Sequence, residues 1–269
     1  EGGALDDNIR HAITKLSHIH FVTNQLSYQN LINQGEEKQR VYNIGLSIND
    51  IIYNSKFLSL EKLKRKFNFD ENKTLIILTY HSVTTQPHLA IKQIKTILRS
   101  INFLIEKYDC RVIATYPNND VGSNDIIKEL KNFNRNNKNF SLYKSLGNYI
   151  YHSLINLRKK MSVVVVGNSS SGIKEAVAFK CPVVNIGTRQ DGRLKPKNVF
   201  DVNCNNNQII KKIRKILNDK KLKQKLNKVK NPYFKKNSGK RATKIIENLI
   251  LDDKIIRKKI TLNKPITIK

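Results

Sequence analysis

The most constraining feature of this chain is a series of short apolar runs, each followed by a polar loop and then by helical periodicity. "TLIILTY" (74–80), "CRVIATYP" (110–117), "FSLYKSL" (140–146), "SVVVVG" (162–167) and "PVVNIG" (182–187) are too short for helices and rich in β-branched residues. Their continuous apolar character means that both faces of each strand are covered, the pattern of a parallel sheet between two helical layers. Helices are predicted over 88–107, 124–132, 148–160 and 172–179, alternating with these strands. The expected fold class is therefore α/β, with a doubly wound parallel sheet. Upstream, a helix over Leu5 to Leu16, a strand at "HIHFVTN", a helix closing at Gly35 and a strand at Val41 to Ile44 repeat the theme. A lysine-rich helical linker is expected over 52–72 and basic helices over 206–250, and the pattern places no element in 251–269.

The chain carries 50 Lys and Arg against 21 Asp and Glu, a net charge of +29 at pH 7. Such an excess predicts attraction to anions, nucleic acid included. The lysines travel with asparagine and isoleucine, as in "KILNDKKLKQKLNKVKN". These residues share A/T-rich codons, so genome composition explains much of the excess. Neither aromatic base-stacking motifs nor Cys/His finger spacing accompany them. A solvated lysine surface is preferred to a nucleic-acid-binding protein, the reading from another functional class. Cys110, Cys181 and Cys204 are widely spaced and read as reduced, buried thiols. No apolar run approaches the length that crosses a bilayer, and the expected location is cytoplasmic.

In a doubly wound sheet the ligand lies at the carboxyl ends of the strands. That rule selects the loops "YHSVTTQPH", "YPNNDVGSND", "GNSSSG" and "GTRQDGR". The serine loop lacks the second glycine of a nucleophile elbow and the Lys-Ser/Thr ending of a Walker loop. Ser169 and Ser170 are left with two equal readings, as helix caps with Glu175 completing a capping box, or as donors to a diphosphate with Glu175 on a ribose. Arg189 and Arg193, on the neighbouring loop, favour the diphosphate, since guanidinium groups bind phosphate bidentately. His81 ends the first strand of this sheet on the same edge, where an imidazole can act as acid, base or hydrogen-bond donor. His18 and His20 alternate on a strand and read as packing residues. Asp6 and Arg10 are spaced for an i,i+4 ion pair.

The segments "EGGALDDNIRHAITKLSHIHFVTN", "HSVTT", "YPNNDVGS" and "GNSSSGIKEAVAFKCPVVNIGTRQDGR" occur in this order. Together they make the chain resemble the hydrolysing UDP-N-acetylglucosamine 2-epimerases of sialic acid biosynthesis, from Glu1 to about Val202. The resemblance implies a GT-B-like fold of two Rossmann-like domains. On it, 1–54 is the end of an N-terminal domain, 55–235 a UDP-binding domain and 236–269 a helix and tail, with further sequence expected upstream of Glu1. It implies that Ser169, Ser170, Glu175 and Arg189 bind UDP, with Asn119 and Asp120 as weaker candidates. Asp6, Arg10 and His81 carry over as catalytic residues, and Ser82 stands where the family loop usually has proline. The implied chemistry removes the C2 proton, expels UDP to leave a glycal and adds water with inversion at C2. It involves neither metal nor cofactor, and the implied partners are a UDP-sugar and further copies of the whole protein. A non-hydrolysing 2-epimerase and a GT-B glycosyltransferase are the rival enzymes.

Overall fold

Each apolar run becomes a parallel strand, and together they place the glycine- and serine-containing loops along one sheet edge. In the computed structural model, which describes residues 5–261, the chain forms two compact units, residues 56–230 and residues 5–55 with 231–261. The larger unit contains α4 (Leu60–Phe67), β3 (Leu75–Thr79), α5 (Ala90–Tyr108), β4 (Arg111–Thr115), α6 (Ser123–Arg135), β5 (Phe140–Tyr143) and α7 (Gly147–Asn156). It continues through β6 (Val163–Gly167), α8 (Ser170–Lys174), β7 (Val183–Ile186), β8 (Val199–Val202), α9 (Asn206–Asn218) and α10 (Lys220–Asn227). All six strands are parallel, in the order β5-β4-β3-β6-β7-β8. This is the Rossmann order, and it reverses direction between β3 and β6.

Alternation along each strand sorts side chains between two layers. Ile76, Leu78, Val112, Ala114, Val164, Val166, Val184 and Ile186 pack with Ile94, Ile97 and Ile101 of α5, Ile126 of α6 and Ile209 and Ile213 of α9. The alternate residues Leu75, Ile77, Ile113, Val163 and Val165 are also buried, and α7 and α8 contact β6 from that side. Covering both faces accounts for the unbroken apolar runs.

Three expectations change in detail. Residues 52–72 are not one helix, since a first helix ends at Asn54 and α4 starts at Leu60. The helix over 172–179 is the five-residue α8 followed by a 3-10 turn, Ala176–Phe179. An additional edge strand, β8, stands at "VFDV", whose half-exposed residues gave no continuous apolar signal.

The smaller unit is built on α1 (Leu5–Leu16), β1 (His20–Val22), α2 (Gln25–Asn33), β2 (Val41–Asn43) and α3 (Ile48–Asn54). β1 and β2 are parallel and close on a small core of Val22, Ile32 and Val41. Residues 231–261, with α11 (Ser238–Glu247) and α12 (Asp253–Ile256), pack on this unit. The segment beyond 250, where the sequence pattern places no element, is fastened by specific bonds. Arg40 donates to the carbonyls of Lys254 (2.6 Å) and Ile255 (2.8 Å), and Lys258 donates to those of Thr14 (2.9 Å) and Ser17 (2.8 Å).

The fully buried Glu36 carboxylate holds this arrangement together. It meets Lys258 at 2.7 Å, Lys15 at 2.9 Å and the buried His20 at 3.0 Å. Burial opposes the Glu36 charge, yet hydrogen bonds from Lys258 and Lys15 outweigh it and hold the carboxyl below its ordinary value. Burial also lowers His20, against the pull of Glu36. Both groups therefore bind protons more weakly when folded, so their stabilisation is present at higher pH and is lost on acidification. Stability is expected to fall below pH 6.5 through His20 and further below pH 4.5 through Glu36. Glu36→Gln removes the counter-charge and should cost roughly 3 kcal/mol in urea denaturation at pH 7. It should also speed amide exchange in residues 252–261. Unchanged exchange there would show that the clasp does not hold this segment.

Candidate functional site

The site forms where strand order reverses, because the loops after β3 and β6 leave adjacent strands side by side. Gly167, the last residue of β6, has φ +129°, and a Cβ there would lie 1.9 Å from the Thr79 carbonyl oxygen. Only glycine permits that approach. The next residue, the buried Asn168, then reaches across to the histidine loop. Its Oδ1 accepts from the His81 backbone N–H at 2.7 Å, and its Nδ2 donates to the His81 carbonyl at 2.8 Å. Its own carbonyl accepts from Gln190 Nε2 at 2.7 Å and from Arg189 at 3.3 Å. One asparagine therefore ties together the loops after β3, β6 and β7.

His81 is held from a fourth loop as well. His81 Nδ1 faces the Asn118 backbone N–H at 3.0 Å and Asn118 Oδ1 at 3.2 Å; because the N–H can only donate, Nδ1 accepts from it in the neutral ring, whose hydrogen is then on Nε2. Burial and then the positive Arg189 push His81 down to about 4, against the opposing pull of Asn118 Oδ1 and Asp120. At neutral pH it is an uncharged N–H donor. Arg189 also lies 3.7 Å from Asp120, and Asn118 Nδ2 donates to the same Asp120 oxygen at 2.6 Å. Asp120 thus enters the site as the counter-ion of Arg189. Asn119 is exposed on the same loop, and Arg193 is half-buried beyond Gln190.

The serines divide their roles. Ser169 is the N-cap of α8, and its Oγ meets Ser171 Oγ at 2.9 Å. Ser171 Oγ meets in turn the hydroxyl of the buried Tyr151, also at 2.9 Å, which gives a chain of three hydroxyls. Ser170 opens α8 and is half-buried. Glu175 completes no capping box, since it lies at the C-cap of α8, where its carboxylate accepts from His152 at 2.6 Å. A cavity of ≈ 210 Å³ opens between these groups, lined among others by His81, Lys144, Asn148, Tyr151, Ser169 and Glu175. Its walls combine an uncharged N–H donor, hydroxyls, a lysine, a carboxylate and an aromatic ring, a set suited to a polar, anionic ligand with a flat, partly apolar end.

His81, Ser169, Ser170, Glu175, Arg189, Asn119 and Asp120 all lie on this edge. Asp6 and Arg10 belong to the smaller unit, where they form an exposed i,i+4 ion pair at 3.0 Å. Sequence reasoning missed Asn168, Gln190, Tyr151, His152 and Lys144. The rule that selected the four loops applies equally to "YKSLGN" after β5, and would have found Lys144. Asn168 bonds to the neighbouring loop after β3 and His152 to the end of α8, side-chain contacts that periodicity does not register.

NMR of the imidazole nitrogens reads the protonation of His81 directly. His81 should stay neutral, with hydrogen on Nε2, down to about pH 4, and Arg189→Leu should raise its midpoint. A wild-type midpoint at the ordinary value of 6.5 would contradict it.

The family model described as UDP-N-acetylglucosamine 2-epimerase matches residues 1–247. The chain is 39% identical over 204 residues to the GDP/UDP-N,N'-diacetylbacillosamine 2-epimerase (hydrolyzing) of Campylobacter jejuni, covering 76% of this chain and 51% of that protein. It is 30% identical over 267 residues to the UDP-N,N'-diacetylbacillosamine 2-epimerase (hydrolyzing) of Legionella pneumophila, covering 95% and 64% respectively. The chain thus spans about half to two thirds of the length of these relatives. Among solved structures, the co-structure of S. aureus MnaA with UDP matches with TM-score 0.70 and 18% identity, over 90% of this chain and 63% of that one. That likeness agrees with an α/β, GT-B-like fold. The extent of the family match and the identity to these relatives show that the chain belongs to the UDP-N-acetylglucosamine 2-epimerase family.

Proposed function

We propose that the protein of which this chain forms part is a hydrolysing 2-epimerase, releasing UDP and a free 2-epimeric amino sugar from a UDP-linked 2-acetamido sugar. The observation that carries this reading is the convergence of His81, Ser169, Glu175 and Arg189 on one edge, joined through or beside Asn168. The diphosphate lies along Ser169, Ser170, Arg189 and the Nε2–H of His81, with Asn119 and Asp120 at the border of the site. The ribose faces Glu175, and the base enters the cavity beside Tyr151 and Lys144. A base removes the C2 proton, the C1–O bond to the diphosphate breaks, and the negative charge that develops on the departing oxygen is met by these donors. Water then adds across the C1–C2 double bond from the face that inverts C2. Asp6 and Arg10 carry over from the family resemblance to the sugar end of the reaction. The protein also assembles with copies of itself and works in the cytoplasm, in sialic or related nonulosonic acid synthesis.

N-acetylglucosamine is the substrate that the sequence resemblance implies. Both relatives above are named for N,N'-diacetylbacillosamine, which favours a second reading with an acetamido group at C4. The whole protein, incubated in D2O with each UDP-sugar, should release free UDP and the 2-epimer with deuterium at C2. His81→Ala should lower turnover by about a hundredfold or more, the usual cost of removing a donor to a developing anion. A product that remains UDP-linked would point to a non-hydrolysing epimerase. Transfer to an acceptor without exchange at C2 would point to a glycosyltransferase.

A further inference from the structure

Behind the cavity lies a buried group that the proposed chemistry leaves without a task. His152, on α7, has a side chain only 2% exposed, packed beside the rings of Tyr151 and Phe179. Its Nε2 is 2.6 Å from Glu175 Oε2. A carboxylate oxygen only accepts, so Nε2 carries the hydrogen. The contact occupies one Glu175 oxygen, while Oε1 has no hydrogen-bond partner among the described residues and Glu175 lines the cavity. Glu175 lies at the end of the five-residue α8, where the chain passes into a 3-10 turn, so its own backbone confers little rigidity on the side chain. The rigid element is α7, whose residues 151–155 are all buried.

We propose that His152 is a positioning residue that fixes Glu175 so that its free oxygen accepts from the ribose hydroxyls, making the site selective for ribonucleotides over deoxyribonucleotides. This rests on the nucleotide reading of the cleft given above. A carboxylate anchored at one oxygen presents the other in a fixed direction, so hydroxyl recognition is organised before the ligand arrives. Loss of the anchor releases Glu175 into alternative rotamers and weakens only those ligands that carry the hydroxyls. A general packing role would weaken all ligands alike.

The discriminating experiment compares binding of UDP and 2′,3′-dideoxy-UDP to the 269-residue chain by calorimetry. His152→Phe preserves an aromatic ring but removes the donor. It should weaken UDP about tenfold, the scale of one lost charge-assisted hydrogen bond, and leave the dideoxy ligand within about twofold. His152→Gln, whose amide reaches the position of Nε2, should recover most of the loss. If the phenylalanine variant does not fold, His152→Asn, with an amide too short to reach Glu175, replaces it with the same expectation. Equal weakening of both ligands, or no recovery with glutamine, would overturn the inference. Glu175→Ala tests the underlying reading separately, because it should erase the preference for UDP over the dideoxy ligand. If that preference survives in Glu175→Ala, or if UDP does not bind at all, the reading of the cleft falls and the inference with it.

Discussion

The bidentate grip of Asn168 on the main chain of His81 is the interaction on which the rest of the site depends. It is possible only because Gly167 lets β6 press its end against Thr79 of β3. A side chain at 167 would push the two loops apart, and the amide of Asn168 would no longer span the gap. The same residue's carbonyl gathers Gln190 and Arg189, so the geometry of the arginine loop follows from that of the serine loop. Buried amide groups of this kind are costly unless paired, which makes the arrangement nearly all-or-none.

Electrostatics follow from that packing. Bringing Arg189 to the histidine loop favours a neutral imidazole, and the Asn118 amide decides which nitrogen keeps the hydrogen. Asp120 stands 3.7 Å from Arg189 as a counter-charge, at a distance that weakens the pair relative to direct contact. On the proposed reading, a diphosphate would meet Arg189 bidentately, the geometry in which a guanidinium binds phosphate best. On the same reading, the overall charge of +29 adds long-range attraction for such a ligand, and the few groups on this edge supply the discrimination.

Much of this architecture was legible in the sequence, for definite reasons. Strands covered on both faces must be continuously apolar, so "TLIILTY" and "SVVVVG" announced themselves, and the rule that ligands sit at strand carboxyl ends selected the loops. β8 escaped because an edge strand with half-exposed side chains carries no such run. Asn168 and His152 carried no signal in the sequence, because their side-chain partners lie 87 and 23 residues away. The clasp of Glu36 with Lys258 is more distant still, and its lysine is one among many in a lysine-rich chain. Long-range pairing of polar groups leaves no periodic trace, whereas burial of apolar ones does.

The most direct test of the edge itself is an amide NMR titration of this chain with UDP. Binding at the switch point should shift resonances in residues 80–82, 118–120, 144–151, 167–175 and 187–193, and leave the opposite, amino-terminal ends of β3, β4 and β6 unmoved. Shifts confined to those amino-terminal ends, or spread over the lysine-rich surface of α9 and α10, would contradict a nucleotide site organised by Asn168.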